Sequence, residues 1–265
     1  MQKYLKAFYA FLQNQKAYRL SFFSTFFSTL IFITFYYFLW KSIYNNQSEN
    51  FEISGYTFKS LFTYYCVSYC FRFLVSSSKS TTLLAQEIHT GMFSNLMLKP
   101  IKYIWYSFTR TISDRILKII LPIIFLISLF VFGNNVIHLP KNLFLFVLSI
   151  VFSIIINHFT NIIVGLIAFY VVSINGIYNI YMRVSDVLSG TLFPLNMLPG
   201  FLTTTIAVLP FKYTTYNTIL IYLGKMNTEE ITFHFLMQGF WIVLLYCLFN
   251  FMFNKSIKSN ESVGI

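Results

Sequence analysis

Charge is scarce in this sequence. Asp, Glu, Lys and Arg make up only 10% of its 265 residues, and 8 of them are acidic. A soluble domain carries about 25% charged residues, so this chain cannot cover itself with a water-compatible surface. Cysteine is equally sparse. Cys66, Cys70 and Cys247 all fall within apolar runs, where they read as small buried hydrophobes rather than a disulfide framework or a metal site. No glycine-rich run leads to Gly-Lys-Ser or Gly-Lys-Thr, so the chain lacks the phosphate-binding loop needed to hydrolyse ATP by itself. It has no H-E-x-x-H, and His89, His138, His158 and His234 are far apart, which argues against a zinc site. Asp114 and Asp186 each have a basic neighbour at helical spacing. That is the pattern of ion-paired structure rather than of an intramembrane protease or a proton-coupled carrier.

Apolar residues dominate instead: 57% of the chain is hydrophobic and 21% aromatic, with 33 Phe. The sequence therefore reads as an all-α integral membrane protein, one membrane domain over residues 1–265. Its net charge of +11 is scattered between apolar runs, which fits orientation in a membrane better than nucleic-acid binding.

Residues 1–19 set Leu5, Phe8, Phe11 and Leu12 against Lys3, Lys6, Gln13 and Lys16, the pattern of a helix lying in the membrane interface. Leu20 to Trp40 is free of charge and long enough, at about 1.5 Å per residue, to cross a hydrocarbon core of about 30 Å. It is too long for the core of a signal peptide and reads as a retained first span. Further spans are expected over Thr57–Val75, from Tyr103–Arg115 to Phe132, and over Leu143–Tyr170, Ser173–Phe193 and Ile231–Phe253. Outer loops fall at 41–56 and 133–142. Residues 195–230, with Pro199, Gly200, Pro210 and Gly224, are too apolar for a free loop and too broken for a span, so re-entrant or interfacial helices are expected there. Six spans return the C-terminus to the side of the N-terminus, and the excess of Lys and Arg assigned to that side makes it cytoplasmic.

Three polar features lie within the spans. Arg110, Asp114 and Lys118 form i,i+4 pairs at the start of the third. Asn157, His158, Thr160 and Asn161 in the fourth face protein or water, with His158 read as a packing histidine. Asn175, Asn179, Arg183, Asp186 and Gly190 share one face of the fifth, expected to pack on other helices or line a cavity.

Between spans two and three, residues 76–102 form a polar, partly amphipathic segment on the cytoplasmic side. Thr82 to Thr90 can make two helical turns with Leu84 and Ile88 on one side and Glu87 near them; Gly91 is placed to end the helix, and Pro100 permits a fresh start. By pattern alone an ordinary amphipathic loop explains the segment as well as a working element does.

Glu87-x-x-x-Gly91 followed by Leu96, Leu98 and Pro100 resembles the cytoplasmic coupling segment of ABC-2 type exporter permeases. Leu188-Ser189-Gly190-x-x-Phe193-Pro194-x-x-x-Leu198-Pro199, then Leu209-Pro210-Phe211, resembles the fifth span and re-entrant region of the same class. The resemblance implies a transmembrane subunit of type V architecture that pairs with a second permease, alike or related, and with two cytoplasmic ATPase subunits that hold ATP and Mg. It implies that Glu87, Ile88, His89, Gly91 and Met92 make the ATPase contact, with Glu87 facing a basic groove residue. It further implies that Gly190, Pro194, Pro199 and Pro210 shape an outer gate. The chain itself would bind no cofactor and no nucleic acid, would contact lipids in the cell membrane, and would export an apolar or amphipathic cargo such as a peptide antibiotic, drug or lipid. Two other classes remain: an immunity or assembly factor without transport, and a membrane-embedded enzyme, which requires Asp114, His158 and Asp186 to converge in one pocket.

Overall fold

The computed structural model describes residues 2–15, 19–45, 51–75, 79–132 and 139–261. The turn expected over 133–142, the loop over 41–56 and the start of the segment at 76 lie partly outside these residues, at 133–138, 46–50 and 76–78. The described chain is helical apart from its turns and one antiparallel bridge between Ile53 and Tyr56. In order the helices are α1 (Gln2–Gln15), α2 (Arg19–Tyr44), α3 (Phe58–Val75), α4 (Lys79–His89), α5 (Met92–Met97), α6 (Tyr103–Lys118), α7 (Ile120–Phe132) and α8 (Leu143–Leu166). They continue with α9 (Asn175–Leu188), α10 (Gly200–Ala207), α11 (Pro210–Thr214), α12 (Tyr216–Leu223) and α13 (Thr228–Glu261).

Among the described residues, three helical stretches are long and apolar enough to cross a membrane: Phe26–Tyr44, Leu143–Phe169 and Thr228–Ile257. They coincide with the first, fourth and sixth expected spans. Phe27, Ile31, Phe35 and Phe38 on α2, Phe144 and Val151 on α8, and Leu236, Phe240 and Phe251 on α13 are exposed. An apolar belt of this extent belongs in lipid.

The other three expected spans are modified. α3 carries Lys59, Arg72 and many Tyr, Ser and Thr, and most of its side chains are buried among the other helices. Such a helix needs no lipid-compatible exterior. The third span is broken: α6 ends at Lys118 and α7 begins at Ile120. Pro122 explains the break, because a proline ring in a helix clashes with the carbonyl four residues earlier, here that of Lys118. α6 is polar and α7, with 13 residues, apolar. The fifth span is also shorter than expected. α9 stops at Leu188 because Gly190 adopts a left-handed backbone, φ +77°.

Among the described residues the interior holds two large apolar clusters and a small one of Ala85, Ala168 and Ile174. One large cluster joins α2, α3 and α12 through Tyr36, Tyr64, Tyr65, Leu61 and Ile219, with the Tyr36 and Tyr65 rings stacked 4.2 Å apart. The other large cluster joins α4, α5, α6, α8 and α13 through Leu84, Phe93, Tyr103, Ile162 and Phe249. α1 lies along α6, where Ser113 Oγ donates to the Phe8 carbonyl at 3.3 Å and Phe11 packs edge-on to Tyr106. These contacts put α1, α4, α5 and the C-terminal ends of α8 and α13 at one end of the molecule. The 51–57 turn, residues 195–197 and the α12–α13 connection occupy the other, tied by Asn196 Nδ2 donating to the Ser54 carbonyl at 2.6 Å and Lys225 Nζ to that of Gly55 at 2.5 Å.

Candidate functional site

The segment between α3 and α6 folds as a helical elbow. Gly91 separates its two arms with a left-handed backbone, φ +73°, the conformation a glycine adopts at little steric cost. α4 then lies on the C-terminal end of α8. Thr81 Oγ1 donates to the Asn161 carbonyl at 2.8 Å, and Leu84 sits so close to Gly165 that a Cβ there would fall 2.9 Å from its Cδ2. Ser80 and Thr111 hydroxyls meet at 2.6 Å, fixing α4 to α6 as well. On α5, Phe93 is enclosed edge-on by Tyr103, Phe169 and Phe253, from α6, the end of α8 and α13. The elbow is therefore braced by three long elements at once.

Glu87 is central to that bracing. It is 9% exposed and its carboxylate pairs with Arg110, itself 6% exposed, while Tyr103 Oη donates to it at 3.0 Å. The Arg110 guanidinium lies 5.1 and 5.0 Å from the ring centroids of Phe11 and Tyr106, which pack against each other beside it, a cation–π arrangement. Of the two i,i+4 pairs expected on α6, Asp114 with Lys118 is present at 2.7 Å, while the ion pair of Arg110 is with Glu87; the Glu87 carboxylate is engaged within the chain. Ile88 is half-buried, while His89 and Met92 are exposed on the outer face with Gln86, Asn95 and Leu98. Met92 is 58% and Leu98 85% exposed.

The stripe on α9 does not behave as one surface. Asn175, Asn179 and Arg183 are exposed, whereas Asp186 is buried and pairs with Arg72 of α3 at 2.8 Å. The helical neighbour Arg183 is thus not its direct partner. Gly190 donates its conformation to a tight crossing: its carbonyl accepts from Tyr64 Oη at 2.5 Å, beside Tyr216 and Leu195. Pro194 is buried and opens a short 3₁₀ turn, Pro199 is exposed at the start of α10, and Pro210 is buried as the first residue of α11.

Two buried groupings escape a reading by spacing. Ser149 and Ser153 of α8, Thr218 of α12 and His234 and Gln238 of α13 form one hydrogen-bonded network. In it Ser149 Oγ lies 2.7 Å from Thr218 Oγ1 and 2.8 Å from His234 Nε2. Gln238 Nε2 donates to the Tyr213 carbonyl at 2.9 Å, which binds α11 to the spans. Arg115 donates to the Val75 carbonyl at 2.6 Å and to Asn157 Oδ1 at 3.2 Å, joining α6, α3 and α8. His158 packs edge-on to Phe108 and hydrogen-bonds Thr111. Asp114, His158 and Asp186 are each engaged by a different partner, on three different elements. Among the described residues no group of three His, Cys, Asp or Glu could hold a metal ion.

The arrangement suits mechanical transmission: a rigid elbow, anchored in the helical body, with an exposed face free to meet a partner. A search of curated proteins found no match. A family model described as an ABC-2 family transporter protein matches residues 30–264. With an apolar belt, membrane-length helices and this match over most of its length, the chain belongs to the ABC-2 transporter family as a membrane-embedded permease component.

Proposed function

We propose that this chain is the transmembrane subunit of an ATP-driven exporter, with α4–α5 as the element that receives motion from a separate ABC ATPase. The bracing of this elbow by α6, α8 and α13, with His89, Met92 and Leu98 left exposed, carries the reading. A tightly packed element shifts between discrete arrangements rather than deforming, so a push on its outer face moves three helices together. Glu87 acts inside this device, holding α4 to α6, while His89, Met92 and the turn at Gly91 present the contact.

In this reading the elbow faces the cytoplasm together with both termini. Lys3, Lys6, Lys99, Lys102, Arg110, Arg115, Lys118 and Lys255 fall toward that end and Lys59, Lys141, Lys212 and Lys225 toward the other, an excess in keeping with the positive-inside rule. α3, α7 and α9 complete six crossings with the three long helices, α3 enclosed by the others, and α10–α12 form a re-entrant outer gate shaped by Gly190, Pro194, Pro199 and Pro210. The chain pairs with a second permease in the cell membrane and with two ATPase subunits that carry ATP and Mg. Its cargo is apolar or amphipathic, moving along a pathway bordered by the exposed Asn175, Asn179 and Arg183 face.

Tagged chain extracted in mild detergent from cells expressing its natural neighbours is expected to bring an ATPase subunit with it. Met92→Glu with Leu98→Glu, both on the exposed face, should reduce that recovery at least ten-fold without changing the yield of folded permease. Recovery of the chain alone in its unsubstituted form would favour an immunity or assembly role instead.

A further inference from the structure

We propose that the cleft between α1 and the α5–α6 connection binds the phosphate headgroup of an anionic phospholipid. The cleft, of about 530 Å³, is lined by Lys3, Lys99 and Lys102, by Tyr4 and Trp105, and by the turn at Pro100. Its two walls, the first turn of α1 and the chain entering α6, are stitched together: Lys3 Nζ donates to the Pro100 carbonyl, and the Lys102 backbone N–H donates to Tyr4 Oη at 3.1 Å. Among the described residues no acidic one lines it. The carboxylate on neighbouring α4, Glu87, is committed to Arg110.

Three ammonium groups in one concavity without a carboxylate leave positive charge uncompensated, and lysine answers a phosphate as a point charge. Each lysine near an anionic membrane surface strengthens attraction roughly five-fold. The apolar surroundings fit a lipid rather than a soluble phosphate. Trp105 is 56% exposed at the rim, the residue type that settles at headgroup level. Leu5 and Tyr9 of α1 are exposed as well, giving acyl chains an apolar border. A headgroup held here touches α1 and the segment leading from the elbow together, so it stabilises their association by mass action. Lipid composition thereby tunes how firmly the elbow is held. The site depends on membrane location only and stands whether or not the elbow meets an ATPase.

The test uses Trp105 as reporter in the full chain carrying Trp40→Phe and Trp241→Phe, reconstituted in phosphatidylcholine vesicles with brominated lipid as quencher. Brominated phosphatidylglycerol is expected to quench at several-fold lower mole fraction than brominated phosphatidylcholine. Lys99→Gln with Lys102→Gln should bring the two to near parity, while Lys255→Gln, outside the cleft, should leave the preference intact. Equal quenching by both lipids would overturn the proposal, as would a preference that survives the double substitution or falls equally with Lys255→Gln. Displacement of the brominated phosphatidylglycerol by soluble glycerol phosphate at matched concentration would also overturn it, reassigning the cleft to a soluble anion.

Discussion

Glu87→Ala is expected to destabilise the protein by about 3–5 kcal/mol, because it leaves the Arg110 guanidinium buried with no counter-charge. Arg110 cannot turn outward to water without abandoning Phe11, Tyr106 and the α1–α6 contact they form. Arg110→Ala should cost a similar amount by stranding the carboxylate. Replacing both, Glu87→Met with Arg110→Leu, should recover most of the loss, since neither charge then has to be stripped of water. The unfolding midpoints of the unsubstituted chain, Glu87→Met, Arg110→Leu and their combination in one detergent form a double-mutant cycle that isolates the coupling. Singles that each lose less than about 1 kcal/mol, or a double as unstable as the sum of its singles, would remove the pair from its bracing role. The Tyr103 hydroxyl, which also donates to Glu87, loses this partner in the apolar pair, so recovery should be incomplete.

The second large effect lies at the opposite end. At Gly190 φ is +77°, and a Cβ would fall 3.0 Å from Tyr64 Oη, 3.1 Å from Tyr216 Cβ and 3.2 Å from Leu195 Cγ. A left-handed backbone costs a side-chain-bearing residue about 1–2 kcal/mol, and overpacking adds about 1–3 kcal/mol. Gly190→Ala should therefore lose about 2–5 kcal/mol. Because Tyr64 Oη is the nearest obstacle and donates to the Gly190 carbonyl, the same substitution should cost measurably less in a Tyr64→Phe background. A near-neutral Gly190→Ala, or a cost that Tyr64→Phe leaves unchanged, would mean that this crossing is loose and unsuited to a gate hinge.

What the sequence reveals and what it hides divide along physical lines. Lipid imposes long apolar runs, so Phe26–Tyr44, Leu143–Phe169 and Thr228–Ile257 are readable directly from hydropathy. The elbow is readable too, since Gly91 and the alternating faces of α4 are local signals. Hydropathy is blind to neighbours, however, and it treats α3 as a lipid-facing span when its tyrosines and serines are satisfied by other helices. Pro122 marks the break after α6 in plain view, but a continuous apolar tail beyond it makes the third span look unbroken. The ion pairs are visible in part. Helical spacing finds Lys118 for Asp114, but it also points from Arg110 to Asp114 and from Arg183 to Asp186, where the partners are Glu87, 23 positions away, and Arg72, 114 positions away. Spacing within one sequence reports local neighbours only, whereas packing of α4 on α6 and α9 on α3 decides which charges are buried together.

The face presented by α4–α5 is open to a direct measurement: cysteine cross-linking in assembled membranes. On the proposed coupling role, Met92→Cys should form a cross-link to an ABC ATPase subunit with a short bifunctional reagent, and its yield should change when ATP is added. Leu139→Cys, exposed at the other end of the molecule, should give none. A Met92→Cys chain that cross-links to no ATPase while Leu139→Cys does, or one whose cross-link is indifferent to ATP, would contradict the assignment of this elbow as the coupling element.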